Sequence, residues 1–129
     1  MDTVPKGLRS WFVAHFAADM AFALPLLLVP REFLTLLGWT SVDPFAARLV
    51  AAALFGIGGE SFLSRKASAA AYKAMFRLKL IWSGSALLGM SLTVLQFSAY
   101  RLPSSYLLII VFALFNALWL YWLRRLNRA

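Results

Sequence analysis

The stretch SWFVAHFAADMAFALPLLLV, residues 10–29, decides what kind of protein this is. Twenty residues at about 1.5 Å each reach ~30 Å, the thickness of the hydrocarbon core of a bilayer. Lys6 and Arg9 precede the run, and Pro30-Arg31-Glu32 closes it. A secretory signal peptide also opens with basic residues before an apolar stretch, but its apolar part is shorter and ends in small residues at a cleavage site. This run carries His15 and Asp19 and ends at a proline. It reads as a retained helix that crosses a membrane.

Three more runs of that length follow. The second span, about 44–63, opens at Asp43-Pro44, an N-cap residue with proline in the first turn. The third helix is expected to start near Ala69, outside the hydrocarbon, with a span of about 79–98 and Lys73 and Arg77 one turn apart on its extension. The fourth span, about 104–123, follows Tyr100-Arg101-Leu102-Pro103 and ends in Trp119, Tyr121 and Trp122, an aromatic belt backed by Arg124 and Arg125. Between the first two spans, Phe33, Leu36 and Leu37 share one helical face, and Gly38 is placed to end that helix in a left-handed conformation. The expected fold is all-α: an integral membrane four-helix bundle, one domain over residues 1–129, with a short interfacial helix between helices 1 and 2.

Composition points the same way. Apolar residues make up 62% of the 129 and charged residues 14%, against about 25% charged in an ordinary soluble domain. Too few polar side chains remain to cover a water-facing surface. Cysteine is absent, which removes disulfides, thiolate metal sites and any cysteine nucleophile. One histidine cannot build a multi-histidine metal centre, and no phosphate-cradling glycine loop follows a strand, so no metal or cofactor is expected. The net charge of +8 does not mark a nucleic-acid binder, because the basic residues sit at helix ends and form no patch on a water-exposed element.

Their distribution sets an orientation. Lys6, Arg9, the five basic residues from Arg65 to Lys79, and Arg124, Arg125 and Arg128 fall on one side, ten in all. Arg31, Arg48 and Arg101 fall on the other. The bias places both termini in the cytoplasm, and the expected location is the cell's inner (plasma) membrane.

Within the spans, ionisable residues stand where a membrane makes them expensive. Asp19 lies ten residues beyond Arg9, about 15 Å into the bilayer. A central aspartate costs roughly 2.5–3.5 kcal/mol on the insertion scale, and each Leu, Phe or Val returns about 0.3–0.6. Nine such residues lie between Phe12 and Val29, so the helix inserts with little to spare. His15 stands one turn from Asp19 on the same face, and the pair can hydrogen-bond or share a proton. Ionisable residues at such depth point to function, here proton or cation handling. A buried contact that locks packing is the competing reading.

Matching depth from each cytoplasmic end brings Glu60, Ser83, Ser85 and Asn116 level with His15 and Asp19. Together they make a candidate polar slab for a ligand or ion. Glu60 also has a plain structural reading, an ion pair with Lys79. Arg48 shares a face with Ala52, Gly56 and Glu60, and is placed to snorkel, to pair with Asp43 or Glu32, or to meet an anionic group from the outer side. Pro25 frees the carbonyl of Ala21 and either kinks the first helix or bends it around its neighbours. Phe112, Phe115, Trp119 and Trp122 read as packing and lipid contact.

The second span is rich in small residues, which let helices approach closely in lipid. Its stretch Arg48-Leu-Val-Ala-Ala-Ala-Leu-Phe-Gly-Ile-Gly-Gly59, with the chain length and the short outer segment Pro30 to Trp39, resembles the small four-helix bacterial membrane proteins grouped as DoxX-like. The resemblance implies the fold and says nothing on mechanism, since members of that group are mostly uncharacterised. Three functions stay open. One is binding or transport of a small hydrophobic or cationic ligand, or a proton, at the polar slab. Another is an accessory subunit or homo-oligomer that docks through helix 2. The third is an intramembrane enzyme on a lipid-like substrate, which no catalytic motif favours.

Overall fold

The computed structural model describes residues 4–129. Five helices follow in order: α1 (Lys6–Leu28), α2 (Pro30–Leu36), α3 (Pro44–Leu63), α4 (Ala69–Gln96) and α5 (Pro103–Arg128), with a 3-10 turn at Ser98–Tyr100. No strand occurs among the described residues. The all-α fold expected from the sequence is therefore found, with the short helix in its expected place. Four of the helices are long and apolar enough to cross a membrane. The protein is a multi-pass membrane protein.

Local chemistry sets the helix limits. α1 runs through Pro25 and stops at Val29, whose N–H reaches the Pro25 carbonyl at 2.9 Å. Pro30 has no N–H to continue the ladder, so the chain turns and restarts as α2. Gly38 ends α2 at φ 100°. Its N–H bonds the Thr35 carbonyl at 3.0 Å, and the N–H of Trp39 bonds the Leu34 carbonyl at 3.0 Å. That double closure is a Schellman motif, and it needs a residue free to adopt positive φ. α3 starts as its sequence foretells, with the Asp43 carboxylate accepting from the N–H of Phe45 at 2.9 Å and of Ala46 at 3.3 Å. α4 has 28 residues, about 42 Å at the standard rise. It outruns a ~30 Å hydrocarbon core by about eight residues, in keeping with a start outside the membrane.

The chain divides into two compact units, Met1–Ser68 and Ala69–Ala129. The first holds α1, α2 and α3. Its long helices run antiparallel: Arg48, early in α3, meets Leu27, late in α1, while Phe62, late in α3, lies 4.8 Å ring to ring from Phe16. The buried positions of α1 are Leu8, Phe12, His15, Asp19, Ala23 and Leu26, and those of α3 are Ala47, Ala51, Leu54, Gly58 and Ser61. Both sets step by three and four residues, one stripe per helix.

The second unit is an antiparallel pair of α4 and α5. Phe76 stacks on Trp119 at 5.8 Å, Trp119 on Phe115 at 5.6 Å, and two turns further along α4 Gly84 faces Asn116. The α5 aromatics Phe115 and Trp119 are thus packed against other rings, as expected of them. In both units the outward surface is greasy. Leu49, Ile81, Leu88, Leu95, Leu107 and Leu114 are each more than three-fifths exposed. Such residues ringing a helix suit lipid, which is as apolar as they are.

Candidate functional site

Within its first span, the first unit carries an ionisable pair. His15 and Asp19 stand one turn apart on the buried stripe of α1, with 3.5 Å between His15 Nε2 and Asp19 Oδ1. They are 7% and 8% exposed. Asp19 falls two residues past the midpoint of α1, so the carboxylate lies near mid-membrane when the helix spans.

Gly58 makes room for it. A Cβ on Gly58 would stand 2.7 Å from the Asp19 Cβ, 2.9 Å from its Oδ2 and 3.2 Å from the Met20 Cε. The carboxylate therefore occupies space that any side chain at position 58 would need. Gly56 and Gly59 have nothing within 4 Å of such a Cβ. Of the three glycines clustered here, only Gly58 is required by contact with α1. The arrangement pairs a carboxylate with an imidazole on one face, with the carboxylate seated against Gly58 of α3. Such a pair can hold a proton between its partners, or offer oxygen and nitrogen to a small cation. No group of three His, Cys, Asp or Glu able to hold a metal occurs among the described residues.

Two further sequence-predicted residues of this unit, Glu60 and Arg48, stand on α3. Glu60 is exposed and accepts a hydrogen bond from the Ser64 hydroxyl. The whole row Arg48, Ala52, Gly56, Glu60 is exposed, so the stripe shared by these residues is an outward face of α3. Arg48 donates from Nε to the Leu27 carbonyl at 3.0 Å. Leu27 is in the last turn of α1, where carbonyls lack helical partners, and Arg48 caps that end. The expected pairing partners Glu60 and Lys79 fall in different units.

In the second unit, Ser83 and Asn116 do come together. The Asn116 amide donates to Ser83 Oγ at 2.8 Å and to the Leu80 carbonyl at 3.3 Å. Ser83 in turn donates to the Lys79 carbonyl at 2.7 Å. This is a polar clamp between α4 and α5, with Gly84 making space beside it. Ser85, two residues on, is exposed. Lys79 is 1% exposed, with its ammonium 5.0 Å from the centre of the Trp119 ring, within cation–π range.

Sequence reasoning overlooked two features. Ser61 is fully buried in α3 and bonds the Ile57 carbonyl at 2.7 Å. Its spacing of three from Gly58 was the available sign. Arg101 donates from Nε to the Val94 carbonyl at 3.0 Å and from Nη2 to the Leu95 carbonyl at 3.2 Å. It closes the end of α4 as Arg48 closes α1. A lone arginine just past a span was the only hint. Compared with known proteins, the chain matches no family model, no curated protein and no solved structure.

Proposed function

We propose that this multi-pass membrane protein binds a proton or small cation at the His15–Asp19 pair, as part of moving that ion or a ligand coupled to it. One observation carries the reading: a carboxylate and an imidazole 3.5 Å apart, both buried in the middle of a helix built to span lipid. Placing an aspartate there takes up nearly all the insertion energy α1 has to spare. Ionisable groups kept at that depth serve ion pathways or proton relays. Within the same unit, the other charged groups on α3 are Arg48, engaged at the far end of α1, and Glu60, on the exposed face.

Purified protein reconstituted into vesicles with a trapped pH-sensitive dye tests this. Asp19→Asn keeps the shape and most hydrogen-bonding capacity but removes the charge and the titration. The variant is expected to fold and to lose ion flux, while His15→Gln shifts the pH at which flux changes. An Asp19→Asn protein that is stable and carries wild-type flux, or a wild type with none, would sink the proposal.

A second reading has support of its own. Gly56 and Gly59 leave open space on α3, the kind of surface on which another membrane helix packs closely. On that reading the chain is an accessory subunit or homo-oligomer, and Asp19→Asn is silent. The likeness to the DoxX-like proteins, with the bacterial inner membrane as setting, belongs with these proposals.

A further inference from the structure

α5 ends in an open groove of about 540 Å³ lined by Ala117, Leu120, Tyr121, Arg124, Arg125 and Arg128. These six positions recur at alternating intervals of three and one, which keeps them on one broad face of the helix. Along that face the chemistry changes. Ala117 and Leu120 make the inner end apolar, Tyr121 sits at the boundary, and three guanidinium groups crowd the outer end. From Ala117 to Arg128 is about 16 Å along the axis.

Depth matters next. α5 has 26 residues, ~39 Å long, so about 9 Å projects beyond a ~30 Å hydrocarbon core. With Pro103 at one boundary, the other boundary falls near Leu123. The three arginines then lie at the level of lipid phosphates, and Ala117 and Leu120 at the level of acyl chains.

Charge balance is the third strand. No Asp or Glu occurs after Glu60. The second unit, Ala69–Ala129, therefore holds seven Lys and Arg side chains and no acidic one, and contributes no acidic side chain to the groove. Arg125 is already held in place, donating from Nη1 to the Tyr121 hydroxyl at 3.1 Å and lying 5.3 Å from the centre of the Trp122 ring. An arginine oriented in this way gives up less freedom when it grips a phosphate.

We infer that this groove binds the headgroup phosphate of an anionic phospholipid, with the acyl chain running down over Leu120 and Ala117. A free phosphate would share the guanidinium contacts but has no use for the apolar end. The inference rests on the membrane setting and is independent of the Asp19 site.

Native mass spectrometry of the full chain in detergent, titrated with phosphatidylglycerol or with phosphatidylcholine, tests it. Wild type is expected to prefer phosphatidylglycerol on the order of a hundredfold, from three arginines near the headgroup. The triple variant Arg124→Gln/Arg125→Gln/Arg128→Gln is expected to lose the preference. Arg128→Gln alone, at the exposed tip, loses part of it and serves where the triple variant does not fold. Ala117→Trp fills the apolar end with every charge in place, and is expected to weaken phosphatidylglycerol tenfold or more. An unchanged preference in the arginine variants overturns the site. Full displacement by millimolar inorganic phosphate, with Ala117→Trp without effect, overturns the lipid assignment in favour of a free anion.

Discussion

A methyl group on Gly58 would lie 2.7 Å from the Asp19 Cβ and 2.9 Å from a carboxylate oxygen, closer than packed atoms tolerate. The Asp19 Cβ is fixed to the α1 backbone and cannot swing aside, so α1 and α3 would have to part. Overpacking of this kind costs about 1–3 kcal/mol, more than the ~1 kcal/mol that alanine gains over glycine in a helix. Gly58→Ala is therefore expected to lower stability in detergent. Gly56→Ala and Gly59→Ala, which meet nothing within 4 Å, are expected to be neutral or stabilising. Thermal unfolding of the three variants side by side checks this, and equal losses at all three would disprove the contact. Three glycines in four positions are visible in the sequence as a reason for close packing. Which one touches Asp19 is not, because spacing alone leaves undecided which side of α3 is turned to α1.

At the scale of the helix, the ends rather than the middles show how each element is held. Asp43 at the start of α3 and Gly38 at the end of α2 are legible in the sequence because their roles depend on a few adjacent residues. Arg48 and Arg101 are different. Arg48 caps a helix 21 residues earlier in the chain, and Arg101 folds back over the last turn of α4. Both bond carbonyls in the last turns of a helix, where intrahelical N–H partners run out. Arg101→Met is expected to destabilise the second unit by about 1–2 kcal/mol. Arg101→Lys restores only part of that, because a single ammonium lacks the two separate nitrogens, fixed in one plane, with which the guanidinium reaches both carbonyls. Chemical denaturation in detergent checks the order wild type, Lys, Met. A methionine variant as stable as wild type would show that the cap contributes nothing.

For the whole molecule, the ten-to-three division of basic residues predicts both termini in the cytoplasm. Helix capping strengthens the argument. Of the three basic residues on the sparse side, Arg48 and Arg101 are each hydrogen-bonded to a helix end, which gives them a reason to be there that owes nothing to orientation. Reporters that fluoresce only in the cytoplasm, fused to each end in turn, are expected to light in both cases. A dark C-terminal fusion on well-inserted protein would reverse the topology.

Length and hydropathy by themselves determined that there are four helices long and apolar enough to cross a membrane, and that a short helix lies between the first two. Those properties depend only on the thickness of a bilayer and on local capping chemistry. The His15–Asp19 contact was legible too: the two share one face because four residues make about one turn. The facing of each helix was decided only by tertiary packing. In lipid every side of an apolar helix is acceptable, so no hydrophobic stripe marks the inside, and the same depth count that grouped Glu60 and Ser85 with the polar residues could not tell that both are exposed. Asn116 and Ser83 meet, and Asp19 seats against Gly58, because small residues and hydrogen bonds choose the contact where hydrophobicity cannot.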